Sequence, residues 1–159
     1  MNYNLIIDCD VANGTGVRVS LFVSGCNHHC KGCFNEVAWD FQYGQAFTDK
    51  TVEEILKLLD KPYITGLSIL GGEPLEAENC PSVAHLIQVV RNTLPNKDIW
   101  LWTGFYLSDL KLNKDINYII NNVDYIVEGP FIEEQKDLSL AFRGSRNQNI
   151  IRIKKDEKV

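Results

Sequence analysis

Short β-branched runs alternate along this chain with amphipathic stretches of ten or more residues, and that alternation restricts the fold more than any other feature. Residues 17–23 place Val17, Val19, Leu21 and Val23 at period two, which predicts a strand. Past residue 50 the period changes. Val52, Ile55, Leu56 and Leu59 recur at helical spacing, Thr51-Val52-Glu53-Glu54 reads as a capping box, and Pro62 ends the segment. A strand is predicted at 66–70, and then a helix opened by Pro81 and closed by Pro95, with Val83, Leu86, Ile87 and Val90 on one face. Next come a strand at 98–102, a less regular helical region over 107–121 with Ile116, Ile119, Ile120 and Val123 in phase, and strands at 124–128 and 150–153. Strands joined by helices of this length pair in parallel, so the expected fold class is α/β with a mainly parallel sheet. A chain of 159 residues is read as one domain and is too short for a closed barrel of ~250 residues, which leaves an open sheet or partial βα barrel.

Charge and hydropathy exclude several classes of partner. The chain carries 16 Lys and Arg against 21 Asp and Glu, a net charge of −5, and so lacks the basic surplus of a nucleic-acid binder. The first residues show no cationic stretch followed by an apolar one, and no apolar run approaches the ~20 residues that span a bilayer. A soluble, cytoplasmic protein with no nucleic-acid or membrane partner is expected. Residues 154–158 read as a solvated charged tail. The 5 cysteines are an odd number without a secretion signal, which argues against a disulfide framework.

Three of those cysteines form Cys26-x-x-x-Cys30-x-x-Cys33, directly after the strand at 17–23. Clustered thiolates bind zinc or iron–sulfur clusters. A structural zinc site closes with four ligands, the fourth here being His28, His29, Cys9 or Cys80, but zinc motifs usually bring two separated ligand pairs. Three thiolates on a four-iron four-sulfur cluster leave one iron open, which suits a reactive centre, and the spacing favours that reading. Gly71-Gly72-Glu73-Pro74 follows the strand at 66–70. Its glycines allow close backbone approach and are expected to leave N–H groups free, while Glu73 offers a carboxylate to an ammonium group. Parallel sheets place their chemistry beyond the C-terminal strand ends, where Trp102-Thr103-Gly104 and Glu128-Gly129-Pro130 also fall.

The CxxxCxxC loop and the GGEP segment together resemble the radical S-adenosylmethionine enzymes. Nearly the whole chain is similar to the branch that activates the anaerobic (class III) ribonucleotide reductase. That likeness rests on Asn13-Gly14-Thr15-Gly16, Leu21-Phe22-Val23-Ser24-Gly25-Cys26, His29-Cys30-Lys31-Gly32-Cys33-Phe34-Asn35, Trp39, Gly44-Gln45, Lys97-Asp98-Ile99-Trp100-Leu101-Trp102-Thr103-Gly104 and Arg143-Gly144-Ser145-Arg146-Asn147-Gln148. Glu73 and Glu128 stand where this branch more often has Asp, and Thr15 where it more often has proline.

The resemblance implies a single radical S-adenosylmethionine domain over 1–159, of the partial-barrel type. It implies one 4Fe-4S cluster held by Cys26, Cys30 and Cys33, with S-adenosylmethionine chelating the open iron through its amino and carboxylate groups. One electron passed to the sulfonium then yields methionine and a 5′-deoxyadenosyl radical, which takes a hydrogen from the Cα of a glycine near the C-terminus of the large reductase subunit. No catalytic side chain beyond the cluster is implied. Cofactor contacts are implied at Gly32, Cys33 and Phe34, with backbone and ring at 32 and 34 against the adenine, and at Gly71, Gly72 and Glu73 toward the methionine ammonium. Thr103 and Glu128 are candidate contacts to the methionine or ribose, and strand-end capping explains them equally well. An electron donor and a homodimer are implied as partners.

Other residues read more plainly. His28 and His29 flank a cluster ligand and either tune it through hydrogen bonds or are polar loop residues, the second reading being favoured; His85 is expected to be a surface residue, and Cys9 and Cys80 incidental or buried thiols. The aromatics Trp39, Phe41, Tyr43, Trp102, Phe105 and Tyr106 are divided between core and a groove for the partner's tail. Arg143-Gly144-Ser145-Arg146 serves docking or fold closure. Two rival functions share these motifs: an activase for a pyruvate formate-lyase type partner, and a zinc or iron–sulfur binding module without turnover.

Overall fold

In the computed structural model, which describes residues 1–153, the strands join one seven-stranded sheet. In chain order they are β1 (Asn2–Asp10), β2 (Arg18–Val23), β3 (Gln45–Ala46), β4 (Gly66–Gly71), β5 (Asp98–Trp102), β6 (Tyr125–Glu128) and β7 (Asn149–Arg152). Their order across the sheet is β3-β1-β2-β4-β5-β6-β7, and the sheet does not close. The central strands β2, β4, β5 and β6 are parallel, while β1, β3 and β7 add antiparallel edges. The proposed tail at 154–158 lies outside the described residues. No helix among the described residues is long and apolar enough to cross a membrane.

Three α-helices supply the crossovers: α1 (Asp49–Leu59), α2 (Cys80–Thr93) and α3 (Lys114–Asn122). Their apolar stripes pack on one face of the sheet. Val52, Ile55, Leu59, Val83, Leu86, Ile87, Val90, Ile116 and Ile119 share one buried cluster with Val19, Leu21, Leu67, Ile69, Ile99, Leu101 and Ile126. Because side chains alternate along a strand, Ser20, Phe22, Ser68, Leu70 and Trp100 point to the opposite face. There Ser20 bonds Asp10, Ser68 bonds the Asn13 carbonyl, and Phe142 packs edge-on to Trp100.

Some local expectations are corrected. The capping box of α1 is Thr48 with Thr51 at N3, one turn before the one expected at Thr51. The helical region at 107–121 divides into a 3-10 turn at Leu107–Asp109 and α3, whose first turn is capped by the Asn113 side chain accepting from Ile116 N at 2.9 Å. Strands β1 and β3 were not apparent in the sequence pattern.

Asp10, at the end of β1, is 6% exposed. Burial alone would raise its pKa. Donation from the Ser20 hydroxyl, the Asn13 amide and the Ala12 N–H outweighs that and holds the carboxyl below its ordinary value of 3.8. A depressed folded pKa contributes stability in full above the unfolded value and loses it as pH falls through the folded one. Asp10→Asn is therefore expected to flatten the acid limb of a plot of urea midpoint against pH. An unchanged acid limb would remove Asp10 from the account.

Candidate functional site

The chain leaves β2 through Ser24 and Gly25, and Gly25 has φ +99° with the Phe41 ring filling the space a Cβ would need. The turn is held on both sides. Gly25 N–H donates to Ala38 O at 2.7 Å and Cys26 N–H to Trp39 O at 3.2 Å, while Gly72 N–H reaches Val23 O at 2.7 Å and Glu73 N–H reaches Gly25 O at 2.9 Å. The expectation of free N–H groups in the GGEP segment is thus corrected at Gly72 and Glu73, because β4 continues pairing with the chain beyond Val23. What the glycines provide is proximity. A Cβ at Gly71 would lie 2.6 Å from Val23 N, and one at Gly72 would lie 2.6 Å from Gly25 O. Asn79, which precedes α2 and was not singled out from sequence, donates to Ser24 O and Glu73 O at 3.0 Å each, tying the two strand ends together.

The three cysteines lie on this rim. Cys26 is buried, and Cys30 and Cys33 are half-buried. Each sulfur meets backbone N–H groups: those of His28 and His29 at Cys26, that of Phe131 at Cys30, and that of Asn35 at Cys33 Sγ, 3.4 Å away. Such donors favour thiolates and suit an iron–sulfur ligand set. Burial, with Glu73 and Glu76 nearby, pushes the Cys26 thiol up to about 11, and burial with neighbouring Cys33 raises Cys30. Metal loading at these two residues therefore displaces protons.

A mononuclear zinc site fits poorly. Among the described residues no three His, Cys, Asp or Glu side chains converge to hold one ion. His28 is engaged by Glu73, and His29 (φ +48°) stacks on Trp39 with ring centroids 4.4 Å apart. Cys80 is buried at the start of α2, and Cys9 is exposed on β1. A cubane asks for something different, because each thiolate ligates a separate iron.

Glu73 is fully buried, and its carboxylate is saturated. Oε1 accepts from Leu75 N–H at 2.9 Å and from the Thr103 hydroxyl at 2.8 Å. Oε2 accepts from Gly104 N–H at 2.7 Å and faces His28 Nε2 at 2.8 Å. Thr103, 4% exposed, is committed to this network and also accepts from Phe105 N–H. Glu128, at the end of β6, accepts from Leu107 N–H at 2.7 Å and Asn149 Nδ2 at 3.2 Å, so it joins the turn after β5 to the start of β7. Those bonds are strand-end capping.

The outer wall of the rim is the cysteine loop itself. Glu76 anchors it by accepting from Asn27 N–H and Nδ2 at 2.8 and 3.1 Å. Gly32 (φ +74°) lies against Glu133, which pairs with Lys31 at 3.2 Å. Phe34, beside Cys33, is 83% exposed. The Arg143-Gly144-Ser145-Arg146 segment serves closure. Gln148 Oε1 accepts from Gly144 and Ser145 N–H, Arg143 donates to Gln148 O, and Arg146 N–H reaches Gln135 O.

Comparison with known proteins gives concordant results. Residues 12–151 match the family model described as a 4Fe-4S single cluster domain. An anaerobic ribonucleoside-triphosphate reductase-activating protein of Enterobacteria phage T4 is 43% identical over 150 residues, covering 94% of this chain and 93% of that protein. Proteins of the same name from Vibrio cholerae and Escherichia coli are 42% and 41% identical, with 96% and 93% of this chain and 99% and 96% of theirs aligned.

Proposed function

The chain belongs to the anaerobic ribonucleoside-triphosphate reductase-activating proteins and to the 4Fe-4S single cluster domain family, and from that premise we propose that it activates an anaerobic ribonucleotide reductase by radical S-adenosylmethionine chemistry. The observation that carries the reading is the near full-length match to relatives of that name, set beside three cysteines on one sheet rim. The whole chain is then one such domain, with its open sheet as a part-barrel. Cys26, Cys30 and Cys33 hold the 4Fe-4S cluster. When bound and reduced by an external one-electron donor, the cluster would supply the electron that cleaves a carbon–sulfur bond of S-adenosylmethionine, releasing methionine, and the 5′-deoxyadenosyl fragment would take a hydrogen atom from the Cα of a glycine in the large reductase subunit and leave as 5′-deoxyadenosine.

The protein's own residues bind, orient and exclude water. The turn at Gly25 and the Asn79 clasp fix the cysteine loop relative to the Gly71-Gly72-Glu73 corner. That corner presents backbone at close range to the methionine end of the ligand. Gly32 and Phe34 border Cys33, and Phe34 offers its ring to the adenine. Thr103 acts on the ligand through Glu73 and not by contact, and Glu128 by holding the strand ends.

Anaerobically reconstituted protein, reduced and mixed with S-adenosylmethionine and the large reductase subunit, is expected to release methionine and 5′-deoxyadenosine and to leave a glycyl radical signal on that subunit. Radical formation only on a lyase of the pyruvate formate-lyase type would reassign the partner. An intact reduced cluster that releases no 5′-deoxyadenosine would overturn the enzyme reading.

A further inference from the structure

The proposed chemistry leaves one side chain of the rim without a role. His28 lies within the cysteine loop, and its ring sits in a fitted slot formed by Glu73, Phe105 and Gly104. Its Nε2 is 2.8 Å from Glu73 Oε2, and its ring meets that of Phe105 edge-on at 4.4 Å. The third wall is Gly104, where a Cβ would come within 2.6 Å of the His28 ring. Glu73 Oε2 already accepts from Gly104 N–H, so Nε2 carries the proton in this contact.

Glu73 in turn receives Thr103 and Leu75 on its other oxygen. Through one buried carboxylate the loop bearing the cysteines is thereby joined to the ends of β4 and β5. Of the four donors to Glu73, His28 alone comes from the cysteine loop. Asn27 and Glu76 anchor the start of that loop at a second point, so removing the His28 contact frees its middle and not its root.

We propose that His28 is a positioning residue, a brace that sets the distance between the cysteine loop and the Gly71-Gly72-Glu73 corner so that one S-adenosylmethionine reaches both. The inference rests on the reading under Proposed function. It places the role of Glu73 inside the scaffold, with its carboxylate consumed by protein donors and the ligand left to the backbone of the corner. A fitted slot between Gly104 and Phe105 suits a fixed strut, since a side chain that only holds a place for an incoming ammonium needs no such fit.

The test is a titration of reduced, reconstituted protein with S-adenosylmethionine, followed by the change in the cluster's EPR spectrum, with iron content measured on the same samples. His28→Ala, and His28→Phe, which fills the slot without a donor, are expected to keep the parent's iron and to need about tenfold more ligand or greater for half the spectral change. His28→Gln retains an N–H at similar reach and is expected to stay within about threefold of the parent. Gly104→Ala, which drives the ring from its slot, is expected to behave like His28→Ala. Parent-like midpoints in His28→Ala overturn the proposal, as do tighter binding, which would make the ring a place-holder, and loss of iron in step with loss of binding, which would make it merely structural. A parent spectrum that ignores S-adenosylmethionine would instead defeat the functional reading itself.

Discussion

Cys30→Ala, reconstituted anaerobically, is expected to retain about a tenth or less of the parent's iron, while Cys80→Ala retains the parent's full complement of about four irons per chain. The two residues are both thiols, and what separates them is access. Cys30 is half-buried on an open rim, with the Phe131 N–H directed to its sulfur and Cys33 near enough to raise its pKa. Cys80 is 1% exposed in the first turn of α2, where burial pushes its thiol up to about 12 and Sγ meets Pro74 O at a long 4.0 Å. Forming a thiolate there would need a charge in the apolar core, so Cys80 is inert toward metal. A cluster tethered by two thiolates in place of three exposes two irons to water and is lost, whereas truncating Cys80 costs packing alone. Iron assay and the absorbance of the brown protein check both. Equal iron loss in the two variants would show that the ligand set has been misassigned.

Legibility from sequence followed the strength of local signals. Central strands β2, β4, β5 and β6 were readable because each is a short apolar run between turn residues. Their shared direction follows from the lengths of the connecting helices, and this places the cysteine loop, Glu73, Thr103 and Glu128 on one rim. Strand β1, which lies between β3 and β2, was not readable. Its pairing with β2 shifts register between Tyr3 and Leu5 and again between Ile7 and Asp10, and each bulge breaks the period of two on which recognition depends. The start of α1 was misplaced because Thr51-x-x-Glu54 fits the Ser/Thr-x-x-Glu/Gln pattern, whereas the box that forms has a threonine, Thr51, at the position where that pattern asks for Glu or Gln. The partners of His28 and Asn79 were unreadable for a different reason. Their roles consist of hydrogen bonds to residues 45 and 55 positions away, Glu73 and Ser24, and no local pattern encodes such a partner.

Arg18 carries the largest expected effect on stability, and it too was silent in the sequence, where it reads as one polar residue in a strand. The side chain is fully buried. Nε donates to Ser68 Oγ at 2.7 Å, Nη1 to Thr15 O at 3.0 Å and Nη2 to Leu67 O at 2.9 Å; Nη2 also pairs with Asp98 Oδ1 at 2.6 Å, and the guanidinium lies 5.7 Å from the Trp100 ring centroid. One planar cation thus joins β2, β4, β5 and the loop before β2, at the rim opposite the cysteines. Backbone space is cleared for it, since a Cβ at Gly14 would fall 2.9 Å from its Nε and one at Gly66 would strike Asp98.

Arg18→Ala leaves the Leu67 and Thr15 carbonyls and the Asp98 carboxylate without their partner and opens a cavity under Trp100. Removing one member of such a buried pair costs about 3–5 kcal/mol, and the 27% exposure of Asp98, which lets water reach it, favours the lower end. In a domain of this size that lowers the thermal midpoint by roughly 10 °C. Arg18→Met restores much of the volume without the donors and is expected to recover about 1 kcal/mol. Arg18→Lys keeps the charge but replaces a fork of donors with one ammonium that cannot reach all four acceptors at once, so it should fall between the two. Urea denaturation of the metal-free protein at neutral pH measures all three. A loss below about 1 kcal/mol in Arg18→Ala would mean that the guanidinium merely offsets its own desolvation, and the far rim would then be held by the strand pairing alone.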